Sequence, residues 1–186
     1  FKLGFAPADW NRLYKDFTQK KHIPEEILVK AGLIGKKNGR CYDTFRNRCM
    51  FPIMDLRGKV VAFGGRILNA EESHAKYLNS PETSIFNKRK LLFPIYQALP
   101  EIKKRRQAIM VEGYMDAISL HANGIKNAVA SLGTAFTVEQ ARLLKKYADE
   151  VVFSYDMDSA GQNATKRALE IAGSVGLKLR VALIGE

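Results

Sequence analysis

Apolar side chains recur at helical spacing near the start of the chain. Asp9 opens a segment in which Trp10, Leu13, Tyr14 and Phe17 fall at i, i+3, i+4 and i+7, which predicts one face of a helix. Pro24 suits the first turn of a second short helix that stops near Gly32. From Cys41 to Leu68 the texture turns to β, and residues 45–54 and 60–68 read as two strands joined by a turn around Leu56-Arg57-Gly58. Residues 76–92 are polar and irregular, with Asn79-Ser80-Pro81 as a turn signal.

Past about residue 95 the pattern becomes regular. Ala108-Ile109-Met110-Val111 is an apolar run of the kind found in buried parallel strands. A helix is predicted over 114–123, ending at Gly124, and then a strand over 127–130. Thr137 caps a helix that runs to about Tyr147. Residues 151–155 form a third strand, 160–175 a helix and 177–184 a last strand. Strand and helix alternate throughout, which predicts an α/β fold: an α+β N-terminal subdomain over residues 1–95, then a mostly parallel sheet flanked by helices over 96–186.

At 186 residues and 46% hydrophobic content the chain buries a real core. No run approaches the roughly 18 apolar residues of a membrane span, and the first residues lack the basic start and apolar stretch of a signal peptide. No membrane partner is expected. The missing initial methionine suggests a fragment. Cys41 and Cys49 are too few for a disulfide scaffold and have no zinc spacing, so a reducing cytoplasm is the expected compartment. Net charge is +11, distributed as +12 over residues 1–106 and −1 over 107–186. A basic excess confined to one part serves a polyanion such as nucleic acid, or simply makes a soluble face.

Carboxylates fall where the predicted strands end. Glu112 directly follows the first strand of the regular region, with Asp116 a turn later, and Asp156 and Asp158 follow the third strand. Ligands of open parallel sheets gather at those ends. Acidic groups converging there repel one another unless a cation intervenes, and oxygen ligands suit Mg²⁺. Gly113 reads as the residue that lets the backbone turn sharply after the glutamate. An aspartate after a strand also serves as a helix N-cap, and Asp158, ahead of Ser159-Ala160-Gly161, is placed for that.

These residues carry a resemblance. Val111-Glu112-Gly113-Tyr114-Met115-Asp116 and Tyr155-Asp156-Met157-Asp158-Ser159-Ala160-Gly161 resemble the two acidic motifs of the TOPRIM domain. Ser131-Leu132-Gly133-Thr134-Ala135 is similar to the intervening motif of the DnaG-type primases. Tyr42-Asp43-Thr44-Phe45-Arg46-Asn47-Arg48-Cys49-Met50-Phe51-Pro52-Ile53, Phe63-Gly64-Gly65-Arg66 and Lys76-Tyr77-Leu78-Asn79-Ser80-Pro81-Glu82-Thr83 resemble that family's basic segments. The resemblance implies a basic subdomain beside a TOPRIM subdomain, with the active site in the groove between. It implies that Glu112, Asp156 and Asp158 are catalytic and bind metal, supported by Asp116. Arg46, Arg48, Arg66 and Lys76 would line a template and nucleotide groove, with Asn79 and Lys88 near it. Two departures stand out: Lys88-Arg89 replaces the family's usual Lys-Gly pair, and a further acidic motif lies past the point where this chain stops.

The activity implied is DNA-directed RNA polymerase chemistry, making RNA primers on single-stranded DNA from ribonucleoside triphosphates. The implied cofactor is Mg²⁺ or Mn²⁺, with zinc confined to a module absent from this chain and a replicative helicase reached through a domain also absent. Two ions about 4 Å apart could activate the attacking hydroxyl and neutralise pyrophosphate, or Glu112 could act as general acid or base. Competing readings are a TOPRIM nuclease or topoisomerase and a non-catalytic nucleic-acid-binding TOPRIM module. A topoisomerase needs a tyrosine nucleophile in a separate domain, for which 186 residues leave little room. His22, His74 and His121 are scattered and read as ordinary histidines, and Phe45, Phe51 and Phe63 read as core before they read as base-stacking rings.

Overall fold

Two units organise the chain, Phe1–Ile53 with Val60–Phe86, and Met54–Lys59 with Asn87–Glu186. The computed structural model describes residues 1–69, 75–155 and 159–182.

The first unit begins with strand β1 (Gly4–Ala6) and the short helix α1 (Arg12–Lys15), which runs directly into a turn of π-helix, Asp16–Lys20. Helix α2 (Glu25–Lys30) follows Pro24 and buries Leu28. It stops as the sequence predicts, because Gly32 takes φ +69°. The Gly32 and Leu33 N–H groups then close back on the Val29 and Leu28 carbonyls at 2.9 and 3.0 Å. Next comes a hairpin that the sequence reading left out, β2 (Ile34–Lys37) against β3 (Arg40–Asp43), with Lys37 paired to Arg40. Its signal is Asn38-Gly39, both at positive φ, the two-residue loop whose twist matches antiparallel strands.

Strands β4 (Arg48–Met54), β5 (Val60–Ile67) and β6 (Tyr77–Asn79) join β1 in one sheet, in the order β1-β4-β5-β6. The predicted strand 45–54 therefore starts three residues later, because Asn47 sits at φ +50° and breaks the extended run. Short β6 lies inside the stretch that reads as irregular. Phe45, Phe51, Ile53, Ala62 and Phe86 are buried, so Phe45 and Phe51 are core residues.

Residues 54–59 belong to the second unit. Asp55 organises them, accepting from the Arg57 and Lys59 N–H groups at 2.8 and 3.0 Å, and Leu56 packs against that unit's core. Helix α3 (Ile95–Arg105) buries Ile95, Ala98 and Ile102 and places Lys103, Lys104 and Arg105 at its negative end. It was not predicted, because Pro100 lies inside it; that proline is exposed, so the missing N–H falls on the water side.

The remaining elements alternate as the sequence implies: β7 (Gln107–Val111), α4 (Tyr114–Ala122), β8 (Ala128–Ala130), α5 (Val138–Lys145), β9 (Glu150–Phe153), α6 (Ser159–Ser174) and β10 (Lys178–Val181). The four strands are parallel, in the order β10-β9-β7-β8. Met110, Val129, Val151 and Phe153 from the sheet pack with Ile102, Leu144, Ala168 and Ala172 from the helices. Among the described residues, no helix is long and apolar enough to cross a membrane.

Candidate catalytic and nucleic-acid-binding residues

In the second unit β7 is the hub of the sheet. The chain passes from β7 to β8 on one side, then crosses to β9 on the other, so the order reverses between β7 and β9. In open α/β sheets that reversal opens a crevice at the carboxyl ends of the strands. Glu112 is the first residue past β7 and is exposed. Across the reversal, the Ser154 N–H still donates to the Met110 carbonyl at 2.9 Å. Pairing thus carries the chain leaving β9 alongside β7 almost to Glu112. Asp156 and Asp158, the other two predicted acids, lie outside the described residues.

The turn after Glu112 works differently from its sequence reading. Gly113 has φ −141° and ψ 179°, extended backbone open to any residue, so no special torsion is needed there. Its N–H instead donates to Asp116 Oδ2 at 2.9 Å. Asp116 closes the first turn of α4 from its third position and sits at the positive end of the helix. The role this geometry gives Asp116 is to fix the exit of Glu112 from the sheet.

Tyr155, which opens the second acidic motif and has no role in the sequence reading, belongs to this neighbourhood. Its ring packs edge-on to Phe153 at 5.0 Å. Burial pushes its phenol up to about 12, with the Ser131 hydroxyl opposing and the Glu112 charge reinforcing the rise. Among the described residues no cluster of three His, Cys, Asp or Glu side chains forms.

Basic residues of the first unit divide by what their charges already do. Arg46 lies over the Trp10 ring at 4.2 Å and the Tyr42 ring at 5.6 Å, and donates to the Asp43 carbonyl. Trp10 is held in turn: its carbonyl accepts the Asp43 N–H at 2.7 Å, while the Asp43 carboxylate caps α1 through the Leu13 and Tyr14 N–H groups at 2.7 and 3.0 Å. Arg46 and Arg48 do not share a strand face as their spacing implies, because Arg46 precedes β4 and Asn47 breaks the alternation.

Arg48, by contrast, is held inside the fold. It is 5% exposed, and its guanidinium donates to the Gly65 carbonyl at 3.1 Å and, from both terminal nitrogens, to the Ala75 carbonyl at 3.0 Å. It forms part of the wall of a recess of about 360 Å³ that Trp10, Arg46, Asn47 and Ile67 also line. Its donors, however, tie β5 to the segment before β6. Arg66 pairs with Tyr77 across β5 and β6, and Gly64 with Asn79, so Arg66, Tyr77 and Asn79 share one face of this strand pair. Arg66 lies 6.0 Å from the Tyr77 ring, and Lys76 is exposed one residue before β6.

Lys88 is in the second unit, half-buried, and its carbonyl accepts from Gln140 Nε2 at 3.1 Å. The histidines hold no site: His22 is exposed, His121 bonds the Ala128 carbonyl through Nε2 at 2.9 Å, and His74 lies outside the described residues.

Comparison with known proteins adds an independent line. Residues 1–99 match the family described as "DNA primase catalytic core, N-terminal domain", and residues 109–186 match one described as "Toprim-like". The chain is 50% identical over 184 residues to a DNA primase of Clostridium acetobutylicum, covering 99% of this chain and 30% of that protein. Its structure resembles the zinc-binding and RNA polymerase domains of the Aquifex aeolicus primase, with TM-score 0.90 and 38% identity, covering 100% of this chain and 45% of that one. A DnaG primase catalytic domain bound to ssDNA is similar at TM-score 0.88 and 42% identity, covering 99% of this chain and 58% of that one. The chain spans 25–31% of the length of the curated relatives it matches.

Proposed function

This chain belongs to the DnaG-type DNA primase family, carrying its catalytic-core and Toprim-like portions, and from that premise we propose that it forms the polymerising part of a primase. The reaction is DNA-directed synthesis of short RNA primers on a single-stranded template, from ribonucleoside triphosphates. The observation that carries this reading is the match of residues 1–99 to the primase catalytic core. A Toprim nuclease or topoisomerase shares only the acidic sheet edge, whereas this chain adds a whole unit resembling a primase.

The chemistry expected of Glu112, Asp156 and Asp158 follows from their donor type. Carboxylate oxygens alone suit a hard divalent ion, Mg²⁺ or Mn²⁺, and Glu112 stands exposed at the sheet's crevice. Such an ion would supply charge neutralisation at the triphosphate. The chain's own residues do the rest. Asp116 fixes the turn that carries Glu112. Tyr155 offers a hydrogen-bond donor near that carboxylate. Glu112 acts either as a metal ligand or as a general acid–base group. Arg46, Arg66 and Lys76 contact phosphates with little base preference, and Asn79 adds a neutral contact on the Arg66 face. A replicative helicase would be engaged through other parts of the full-length primase.

Primer synthesis is the test, carried out on poly-dT with ATP, Mg²⁺ or Mn²⁺, and a chain extended at both ends. Metal-dependent oligoadenylate is the expected product, lost in Asp156→Asn/Asp158→Asn. Strand cleavage without polymer would overturn the reading in favour of a nuclease.

A further inference from the structure

Positive charge is not confined to the first unit. Residues 103–106 fall in the second, which holds 17 Lys/Arg against 11 Asp/Glu, or +6. Its lysines gather on one edge of the parallel sheet, where the strands begin. Helix α3 brings Lys103 and Lys104 to the start of β7, and Lys126 precedes β8. Helix α5 ends on Lys145, Lys146 follows it ahead of β9, and Lys178 opens β10. Hydrogen bonds stitch this edge together. Asn127 Nδ2 donates to the Gln107 carbonyl at 3.1 Å, the Asp149 N–H to the Arg106 carbonyl at 2.8 Å, and the Lys178 N–H to the Asp149 carbonyl at 3.1 Å. Glu112 leaves the same sheet at the opposite edge.

The arginines of this edge are spent on partners and the lysines are not. Arg105 pairs with Glu101 at 2.6 Å, Arg106 with Asp149 at 2.7 Å and Arg180 with Glu150 at 2.7 Å. Lys103, Lys104, Lys126, Lys145, Lys146 and Lys178 are exposed, and none makes an ion pair among the described residues. Their fields overlap. Arg105, then Lys104 and Lys126, hold the Glu101 carboxyl below its ordinary value; Arg106, then Lys145 and Lys178, do the same at Asp149. The negative end of a helix accounts for lysines in the last turns of α3 and α5, but Lys126 and Lys178 lie past the last turns of α4 and α6. A surface of this charge fits a polyanion. Single strands are held by aromatic rings set among cations, whereas here the Tyr147 ring is half-buried with Lys103 Nζ 5.1 Å above it. A double helix needs no such ring, because its bases are already stacked and its phosphates line the outside. We infer that the lysine edge of the second unit binds the phosphate backbone of a nucleic-acid duplex, away from the strand exit that carries Glu112. The inference rests on the primase reading, which supplies a duplex as the product of copying a template.

Two titrations on the whole chain test it, each over a salt series: a labelled blunt DNA duplex, and labelled oligo-dT. Lys126→Ala/Lys145→Ala/Lys178→Ala, a change of three exposed side chains, should weaken the duplex roughly tenfold or more. It should flatten the log K against log salt slope by about 2.7, three cations at about 0.9 each. Oligo-dT affinity should not move, and Lys126→Arg/Lys145→Arg/Lys178→Arg, which keeps the charge, should bind both ligands as the parent does. A triple Ala variant that matches the parent on the duplex overturns the inference and leaves the primase reading standing, as does a parent that binds oligo-dT alone. An equal loss in both arms gives the edge to a single strand. Labelled poly-glutamate that binds the parent more tightly than the duplex gives it to an acidic protein, and either result overturns the duplex assignment. A parent that binds neither nucleic acid overturns the inference together with the primase reading.

Discussion

Replacing Asp43 should unfasten the start of the first unit, and the size of the effect can be worked from its bonds. Asp43 is 4% exposed, and its two carboxylate oxygens accept the Leu13 and Tyr14 N–H groups at 2.7 and 3.0 Å. Helix α1 with its π turn spans only Arg12–Lys20 and buries none of its residues fully. A helix that short does not persist without an anchor. A hydrogen bond to a charged group contributes about 1.5–3 kcal/mol net, and loss of a helix N-cap costs about 0.5–2 kcal/mol. Both freed N–H groups lie near the surface and recover part of this from water. Asp43→Ala should therefore destabilise by about 3 kcal/mol. Asp43→Asn keeps one acceptor oxygen and should cost about 1 kcal/mol. The assay is urea unfolding followed by tryptophan emission, because Trp10 is the only tryptophan and lies in this unit. With m at about 1–1.5 kcal/mol per molar urea, the Ala midpoint falls by about 2–3 M. An Ala midpoint within about 0.3 M of the parent, or an Asn variant as weak as Ala, would refute the capping account.

Three further outcomes follow from the same geometry. Arg66→Ala or Lys76→Ala should each flatten the salt dependence of oligo-dT binding by about 0.7, whereas Arg48→Met should lower the urea midpoint and leave that slope alone; a slope change in Arg48→Met would return Arg48 to the groove. Asp156→Asn/Asp158→Asn should abolish Mn²⁺ binding by calorimetry without moving the melting temperature, and unchanged affinity would remove both residues from the metal site. The Cys41 thiol is pushed up by burial and by Glu25, so at pH 8 less of it is thiolate and alkylation is slow. Glu25→Gln should speed that reaction, and an unchanged rate would show that Glu25 does not act on the thiol.

The parts of the fold that were legible are those set by local periodicity. Strands β7, β8 and β9 are built on short apolar runs between helical segments, and these strands with α4 to α6 fall within about two residues of their predicted bounds. What escaped notice depended on single residues or distant partners. The β2–β3 hairpin hangs on Asn38-Gly39, a signal present but passed over. Helix α3 was hidden by Pro100, which exposure makes tolerable, and exposure is not visible in a string of letters. β6 exists because β5 supplies its partner, Gly64 meeting Asn79.

The same distinction governs the candidate site. The place of Glu112 at the exit of β7 was legible, because a carboxylate at the end of an apolar strand is a local pattern. The burial of Arg48 was not, because motif and spacing describe it as one more cation on a basic segment. Its acceptors are the Gly65 and Ala75 carbonyls, 17 and 27 residues away, and only the folded unit brings them to its guanidinium. Asp116 shows the intermediate case: its partner, the Gly113 N–H, is three residues away, so the capping pattern is readable in the sequence beside the acidic motif. Motif membership thus marks where function gathers without dividing labour within the motif. A carboxylate or guanidinium whose hydrogen bonds are spent inside the fold holds the site's frame, and the charges left facing water are the ones available to a phosphate or a metal ion.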